Sequence, residues 1–231
     1  MTNDEGVLDP WVVEFFEANP ERNTVFDTLD PEILELARGD YSLPCDIEIA
    51  SIDDAEVDGI PVRIYRNEEP PAGLVVYFHG GGMVIGSIGI MDNVARALCA
   101  ASGAVVISVG YRLAPENPYP AGLDDCETVT RWSIATASTF GVPASKVAIA
   151  GESAGGNLSA ALALRLRDTG GPALAGQVLI YPRTAGSERH SSCDAFDGLV
   201  ISLKAMDVFD GAYNAGRDLD ADPYAVPLAA E

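Results

Sequence analysis

Two glycine-rich stretches carry residue types and spacings that could do chemistry. In Gly151-Glu152-Ser153-Ala154-Gly155 a serine stands between an apolar run, Lys146 to Ala150, and a helical stretch that begins at residue 154. A strand that turns sharply into a helix leaves no room for side chains beside an exposed serine, which suits Gly151 and Gly155 on either side of Glu152. The pattern matches the Gly-x-Ser-x-Gly nucleophile elbow in the strand–turn–helix context that motif requires. The helix N-terminus behind Ser153 presents unpaired N–H groups, which can stabilise negative charge developing on an attacked carbonyl oxygen. In the second stretch, His79-Gly80-Gly81-Gly82 follows the apolar run Leu74 to Phe78. Three consecutive glycines let backbone N–H groups approach a substrate oxyanion. A flexible turn is the plain alternative, and the nearby elbow argues against it. His79 belongs to the donor loop and reads as a residue that fixes that loop by hydrogen bonding, not as a base.

A serine hydroxyl needs a base to take its proton and a carboxylate to orient that base. Of the two histidines only His190 follows Ser153, in the polar stretch Glu188-Arg189-His190-Ser191-Ser192 with no strand before it. It reads as a solvated loop residue.

The elements that must position these residues follow from hydrophobic patterning. Asp9-Pro10 and Asp30-Pro31 are N-cap and first-turn signals for two short acidic helices, the first carrying Trp11, Val12, Phe15 and Phe16 at helical spacing and the second stopping at Gly39. Cys45 to Ile52 and Ile60 to Arg66 alternate apolar with polar and predict an antiparallel hairpin joined by Asp53 to Gly59. Continuous apolar runs at 74–78, 104–109, 146–150 and 177–181 suit strands buried on both faces. Helical stretches near 91–102, 121–139 and 154–168 lie between them, and another lies near 203–213. Such alternation predicts an α/β fold with a mostly parallel sheet covered by helices on both faces.

Composition bounds the function. The 231 residues include 14 Lys+Arg against 35 Asp+Glu, a net charge of −21, and 48% hydrophobic residues, enough for a sizeable core. The excess of acid disfavours nucleic acid and anionic membrane surfaces as partners. Residues 1–60 carry 17 acidic and 2 basic side chains, 61–191 carry ten of each, and 192–231 carry eight and two. Such an acid-rich, lysine-poor chain resembles the surfaces of salt-loving proteins, and a melting temperature that rises with molar KCl is the corresponding expectation. No run reaches the roughly 18 apolar residues of a membrane span, and the acidic start lacks the basic, apolar pattern of a signal peptide. The chain therefore reads as cytoplasmic. Cys45, Cys99, Cys126 and Cys193 are widely spaced and read as small buried hydrophobes. The two distant histidines offer no metal cluster, and neither a Gly-x-Gly-x-x-Gly turn nor a Gly-Lys-Ser/Thr loop points to a nucleotide, so no cofactor or metal is expected.

From about Leu74 to Leu228 the chain resembles the hormone-sensitive-lipase-like branch of the α/β-hydrolases. The resemblance is carried by His79 to Gly82, Tyr111-Arg112-Leu113-Ala114-Pro115-Glu116, Pro118-Tyr119-Pro120-Ala121, Gly151 to Asn157, Val178 to Pro182 and Asp222-Pro223-Tyr224, in that order. It implies an α/β-hydrolase fold and hydrolysis of short or medium acyl esters through an acyl-enzyme. Ser153 would be the nucleophile, with the N–H groups of Gly81, Gly82 and Ala154 as oxyanion donors. It implies N-terminal cap helices over residues 1–45, a core over 46–182, a second cap segment over 183–222 and a return to the core at 223–231. Departures are Glu152, where the family most often has aspartate, and Gly110 before Tyr111-Arg112, which would loosen the loop there. Asp124 and Asp125 match a family position but read as surface or structural carboxylates.

In that family the acid and histidine follow two further strands, beyond the Asp222-Pro223-Tyr224 motif, and this chain stops at Glu231 before either. Negligible esterase activity is expected of residues 1–231 alone. The strand Gln177 to Tyr181, interior in the family, is expected at a sheet edge, open to oligomerisation or aggregation. The contrasting reading is a non-catalytic small-molecule-binding protein on the same scaffold, similar in logic to the plant gibberellin receptor.

Overall fold

Stretches of apolar side chains with no polar alternation suit burial between two layers, and the structure uses those at 74–78, 104–109 and 147–150 so, whereas Val178 and Tyr181 of the run at 177–181 stand exposed. The computed structural model describes residues 9–18, 26–39, 41–67, 70–187 and 191–231. In chain order the elements are α1 (Pro10–Ala18), α2 (Pro31–Ala37), β1 (Ser51–Val57), β2 (Ile60–Arg66), β3 (Leu74–Phe78), α3 (Asp92–Ser102), β4 (Val105–Val109), α4 (Ala121–Thr136), β5 (Val147–Glu152), α5 (Ala154–Asp168), β6 (Gln177–Ile180), α6 (Ser191–Ala195) and α7 (Leu203–Asn214). Among the described residues the strands form one six-stranded sheet, ordered β1-β2-β4-β3-β5-β6. β3 pairs in parallel with both β4 and β5, β5 pairs in parallel with β6, and β1-β2 and β2-β4 are antiparallel.

The period of two divides the central strands between two cores. Leu74, Val76 and Phe78 of β3 join Ile107, Ile149, Leu123, Val129, Leu158 and Leu162 on the α4/α5 face. Tyr77 instead joins Tyr65, Ala95, Cys99, Val106 and Ala150 on the α3 face. The helix predicted over 121–139 ends at Thr136 and continues as a 3₁₀ turn, Ala137–Phe140. α5 begins and ends where the sequence places it.

The hairpin differs from expectation. Its first strand runs over Ser51–Val57, not Cys45 to Ile52, and the turn is only Asp58-Gly59. Asp53 and Asp54 are strand residues whose outward carboxylates are neutralised by Arg66 and Arg63 on the neighbouring strand. Cross-strand ion pairing thus permits two consecutive acids in a strand, where the sequence suggests a turn. Asp9 and Asp30 cap α1 and α2 as expected, accepting from Trp11 N at 2.9 Å and Glu32 N at 2.9 Å. Arg38 caps the end of α2, and Gly39 follows with its N–H on Leu36 O.

Arg38 ties this N-terminal part to the core. Its Nε donates to Val84 O at 2.7 Å and its Nη1 to Glu116 at 3.0 Å. Gly86 N–H adds a bond to Ala37 O at 2.9 Å. At the opposite end of the sheet, β6 has only β5 as a partner among the described residues, and Val178 is 49% exposed. Among the described residues no helix is long and apolar enough to cross a membrane.

Buried Asp92 at the start of α3 ties that helix to β2. It accepts from Tyr65 OH at 2.8 Å and pairs with Arg96 at 2.5 Å and Arg63 at 3.4 Å. Removing the anion strands Tyr65 OH and leaves Arg96 with Ile47 O but no counter-charge, while Arg63 keeps Asp54. Asp92→Ala should therefore lower stability by roughly 2 to 3 kcal/mol, somewhat less than removal of one member of a fully enclosed pair. Urea melts of the two proteins measure this.

Candidate functional site

Phe78 stands opposite Gly151 in the β3-β5 ladder, so the chains leaving these strands start side by side at one end of the sheet. From β5 the chain enters α5 through Ser153, at φ 52° and ψ −115°. That conformation is rare for a residue with a side chain and costs on the order of 1–3 kcal/mol unless its surroundings impose it. They do so here: Ser153 N–H donates to Ile180 O at 2.9 Å, and Ser153 O accepts from Asn157 N at 3.0 Å and Arg183 N at 3.2 Å. Ser153 is half-buried, whereas Gly151, Glu152, Ala154 and Gly155 around it are buried. A Cβ on Gly155 would fall 1.9 Å from Phe78 O, so only glycine lets the first turn of α5 press against the end of β3.

The glycine loop meets the elbow directly. A Cβ on Gly80 would lie 3.3 Å from Ser153 Cβ and 2.9 Å from Glu152 Oε1, so this backbone is seated on both residues. Gly81 O accepts from Val84 N at 3.0 Å and Ile85 N at 2.8 Å, closing the loop behind the two half-buried glycines 81 and 82. The ring of Phe209 from α7 rests against Gly82 and also meets Phe26 at 5.7 Å between centroids. Glu152, only 4% exposed, accepts from Tyr77 OH at 2.7 Å through Oε2 and from the Gly80 N–H through Oε1. Burial pushes its carboxyl pKa up, against the lowering effect of those two hydrogen bonds.

His79 is 1% exposed and supports the loop, as expected from the sequence. Its Nδ1 donates to Gly80 O at 2.7 Å, and its ring stacks on Tyr111 at 4.4 Å between centroids. Tyr111 OH in turn donates to His79 O at 2.7 Å. Burial pulls the His79 pKa down to about 4. The ring is therefore a neutral donor at ordinary pH.

The other motifs also meet in space. Asp125 is buried and accepts from Arg112 N at 2.9 Å and from its guanidinium, while Asp124 pairs with Arg165 at 2.8 Å, so both are structural carboxylates. Gly110 does not loosen its loop: its N–H donates to Pro61 O at 2.9 Å, and the Arg112–Asp125 pair holds the residues that follow. Tyr119 OH donates to Asp222 at 2.8 Å, joining two motifs far apart in sequence. Asn157 Nδ2 donates to Arg183 O at 2.7 Å and Ala225 O at 3.0 Å, fixing the segments after β6 and after Asp222 on α5. A cavity of about 550 Å³ beyond β6 is lined by Arg183, Asp210, Asp220 and Leu228, and Ser153 is not among its walls. His190 lies outside the described residues.

Sequence reasoning missed the Tyr77–Glu152 bond, the Tyr111 stack, the Arg38 clamp and Phe209. Each is a contact between distant segments and has no local signature. The face alternation of β3 and β5, which puts Tyr77 and Glu152 on one side of the sheet, is the signal that could have suggested the first.

Comparisons with known proteins agree with this fold. A family model described as alpha/beta hydrolase fold matches residues 75–231. Carboxylesterase NlhH of Mycobacterium tuberculosis is 43% identical over 166 residues, covering 69% of this chain and 51% of that protein. Esterase LipI of the same organism is 34% identical over 236 aligned positions, covering 98% of this chain and 72% of that protein. A hyperthermophilic esterase from the archaeon Pyrobaculum calidifontis superposes with a TM-score of 0.85 at 31% identity, covering 98% of this chain and 76% of that one. The match thus spans about half of NlhH and about three quarters of the other two.

The low His79 pKa sets a pH dependence. The unfolded chain takes up this proton below about 6.5, the folded chain only below about 4. Between these values the unfolded state holds more protons, so this contribution to stability is complete above 6.5 and is lost as pH falls to 4. The gap corresponds to about 3 kcal/mol. His79→Gln should therefore lose about 3 kcal/mol less than the unaltered protein between pH 7 and pH 4, read from urea midpoints at each pH.

Proposed function

Because the chain belongs to the α/β-hydrolase fold family, in its hormone-sensitive-lipase-like esterase branch, we propose that residues 1–231 carry the nucleophile and oxyanion half of a carboxylic-ester hydrolase. The observation that carries the reading is the left-handed Ser153 at the β5-α5 junction, with the Gly80 backbone seated beside its Cβ. In this reading Ser153 Oγ attacks the acyl carbonyl of a short or medium acyl ester. The N–H groups of Gly81, Gly82 and Ala154 receive the oxyanion, the alcohol leaves, and water then releases the acid from the acyl-enzyme. Ala154 opens α5, so its N–H belongs to the unpaired first turn of that helix.

The proton on Ser153 needs a base, and neither His79 nor Glu152 is placed to serve as one. His79 is buried against the Tyr111 ring with its pKa pulled down to about 4, which makes it a weak base, and both oxygens of Glu152 are occupied by Tyr77 and Gly80. Among the described residues no base hydrogen-bonds the Ser153 hydroxyl. Loss of the histidine alone costs on the order of 10⁶ in turnover in a serine protease. Residues 1–231 alone are expected to hydrolyse a short-chain aryl ester negligibly. Turnover within about tenfold of LipI, abolished by Ser153→Ala, would overturn the division into halves. Fusing to residue 231 the C-terminal part of LipI that lies beyond the matched region should raise turnover by about 10⁴ or more, again dependent on Ser153. A correctly folded fusion with no Ser153-dependent turnover would favour a binding scaffold.

The free side of β6 would also serve as a pairing surface for a second copy of the chain, since its unpaired backbone groups accompany exposed Val178 and Tyr181. Val178→Lys should shift the chain toward monomer in sedimentation velocity runs over a concentration series. An unaltered protein that stays monomeric at the highest concentration would count against the edge as an interface.

A further inference from the structure

Glu152 is a buried carboxylate with no ion-pair partner among the described residues; its partners are an uncharged phenol and a backbone amide. An isolated buried carboxylate is costly, and packing around the elbow does not call for one. Its position is informative. The β3-β5 ladder ends with Phe78 opposite Gly151, and the two chains then diverge, one into the glycine loop and one into the elbow. One residue past that last pair, Glu152 reaches back with its side chain and takes the Gly80 N–H, continuing the join where the backbone ladder stops. Tyr77 lies on the same face of the sheet, in the α3-side core, and its hydroxyl holds the second oxygen at 2.7 Å.

We propose that Glu152 is a positioning residue: its carboxylate, anchored on Tyr77, grips the Gly80 amide and thereby fixes the Gly81-Gly82 backbone beside Ser153. The inference rests on reading that backbone as the oxyanion cradle, and it adds the group that sets the cradle's geometry. Gly80 N–H is then a structural donor and is withheld from the substrate, which leaves the next two amides of the loop for the oxyanion. His79 secures the other polar group of the same residue, Gly80 O, so both backbone groups of Gly80 are clamped by buried side chains.

The test is a ¹H–¹⁵N spectrum of the 231-residue chain labelled at its 23 glycines. A charge-assisted bond should place the Gly80 amide proton downfield of the other glycines. Glu152→Gln should move it upfield by more than any other glycine, and Tyr77→Phe should move it less. Order parameters at Gly81 and Gly82 should fall from about 0.85 to below about 0.6 in Glu152→Ala and stay rigid in Glu152→Gln, with Gly155 and Gly156 unchanged in both. A Gly80 resonance indifferent to Glu152→Gln overturns the proposal. So does a folded Glu152→Ala protein in which Gly81 and Gly82 remain rigid, or one in which Gly155 and Gly156 loosen equally. Should Glu152→Ala fail to fold, the Gly80 shift in Glu152→Gln decides alone. None of these readouts involves turnover, so an inactive fusion enzyme and an unmoved Gly80 resonance are separate failures.

Discussion

The parallel register of β3 and β5 is the constraint on which the site depends. Neighbouring strands lie about 4.8 Å apart, so two chains leaving the same end of adjacent strands begin within reach of each other. With Phe78 opposite Gly151, the next residues on one side are His79 to Gly82 and on the other Glu152 to Ala154. The approach closes further because Gly155 lets α5 start against Phe78 O. A one-residue slip would turn every side chain of β5 to the opposite face, taking Glu152 from Tyr77 and Ile149 from the α4/α5 core. The hydrophobic core thus fixes the register, and the register fixes the chemistry.

What surrounds Ser153 is locally unfavourable. Ser153 adopts a backbone conformation that few side-chain residues adopt, Glu152 is a buried carboxylate without a cation, and His79 is buried far enough to lower its pKa by more than two units. All lie within a few residues of the two strand ends. The central strands offset the cost: β4 is buried along its full length, and β3 contributes to cores on both faces. Concentration of strain and perturbed ionisation at one end of a well-packed sheet is the pattern expected where a protein positions groups for a reaction.

Much of this was legible in the sequence because it is local. The buried strands, α5 and the two glycine motifs are runs and spacings within a dozen residues, and α5 begins and ends where the pattern of 154–168 puts it. The first strand of the hairpin was misplaced because Asp53 and Asp54 look like turn residues until Arg66 and Arg63 on the neighbouring strand are known to pair with them. The Glu152 clamp, the Tyr111 stack on His79 and the seat of Phe209 on Gly82 join segments from 32 to 127 residues apart or bring a side chain onto a backbone amide. Their residue types are ordinary in strands and helices, so no pattern marks them.

The same geometry restricts where a base for Ser153 can stand. On the β3 side the space beside Ser153 Cβ is filled by Gly80, with Glu152 and His79 locked behind it. Beyond Ser153 on this side, the ring of Phe209 rests against Gly82. The remaining side is that of β6, whose exit already touches the elbow: Ile180 O takes the Ser153 N–H, and Arg183 N–H donates to Ser153 O. Tyr181 sits between these bonds in a left-handed conformation with most of its surface exposed. The glycine loop and the elbow beside Ser153 are therefore built by neighbouring loops from the centre of the sheet. On the proposed reading, a base for Ser153 would reach it across the β6 side.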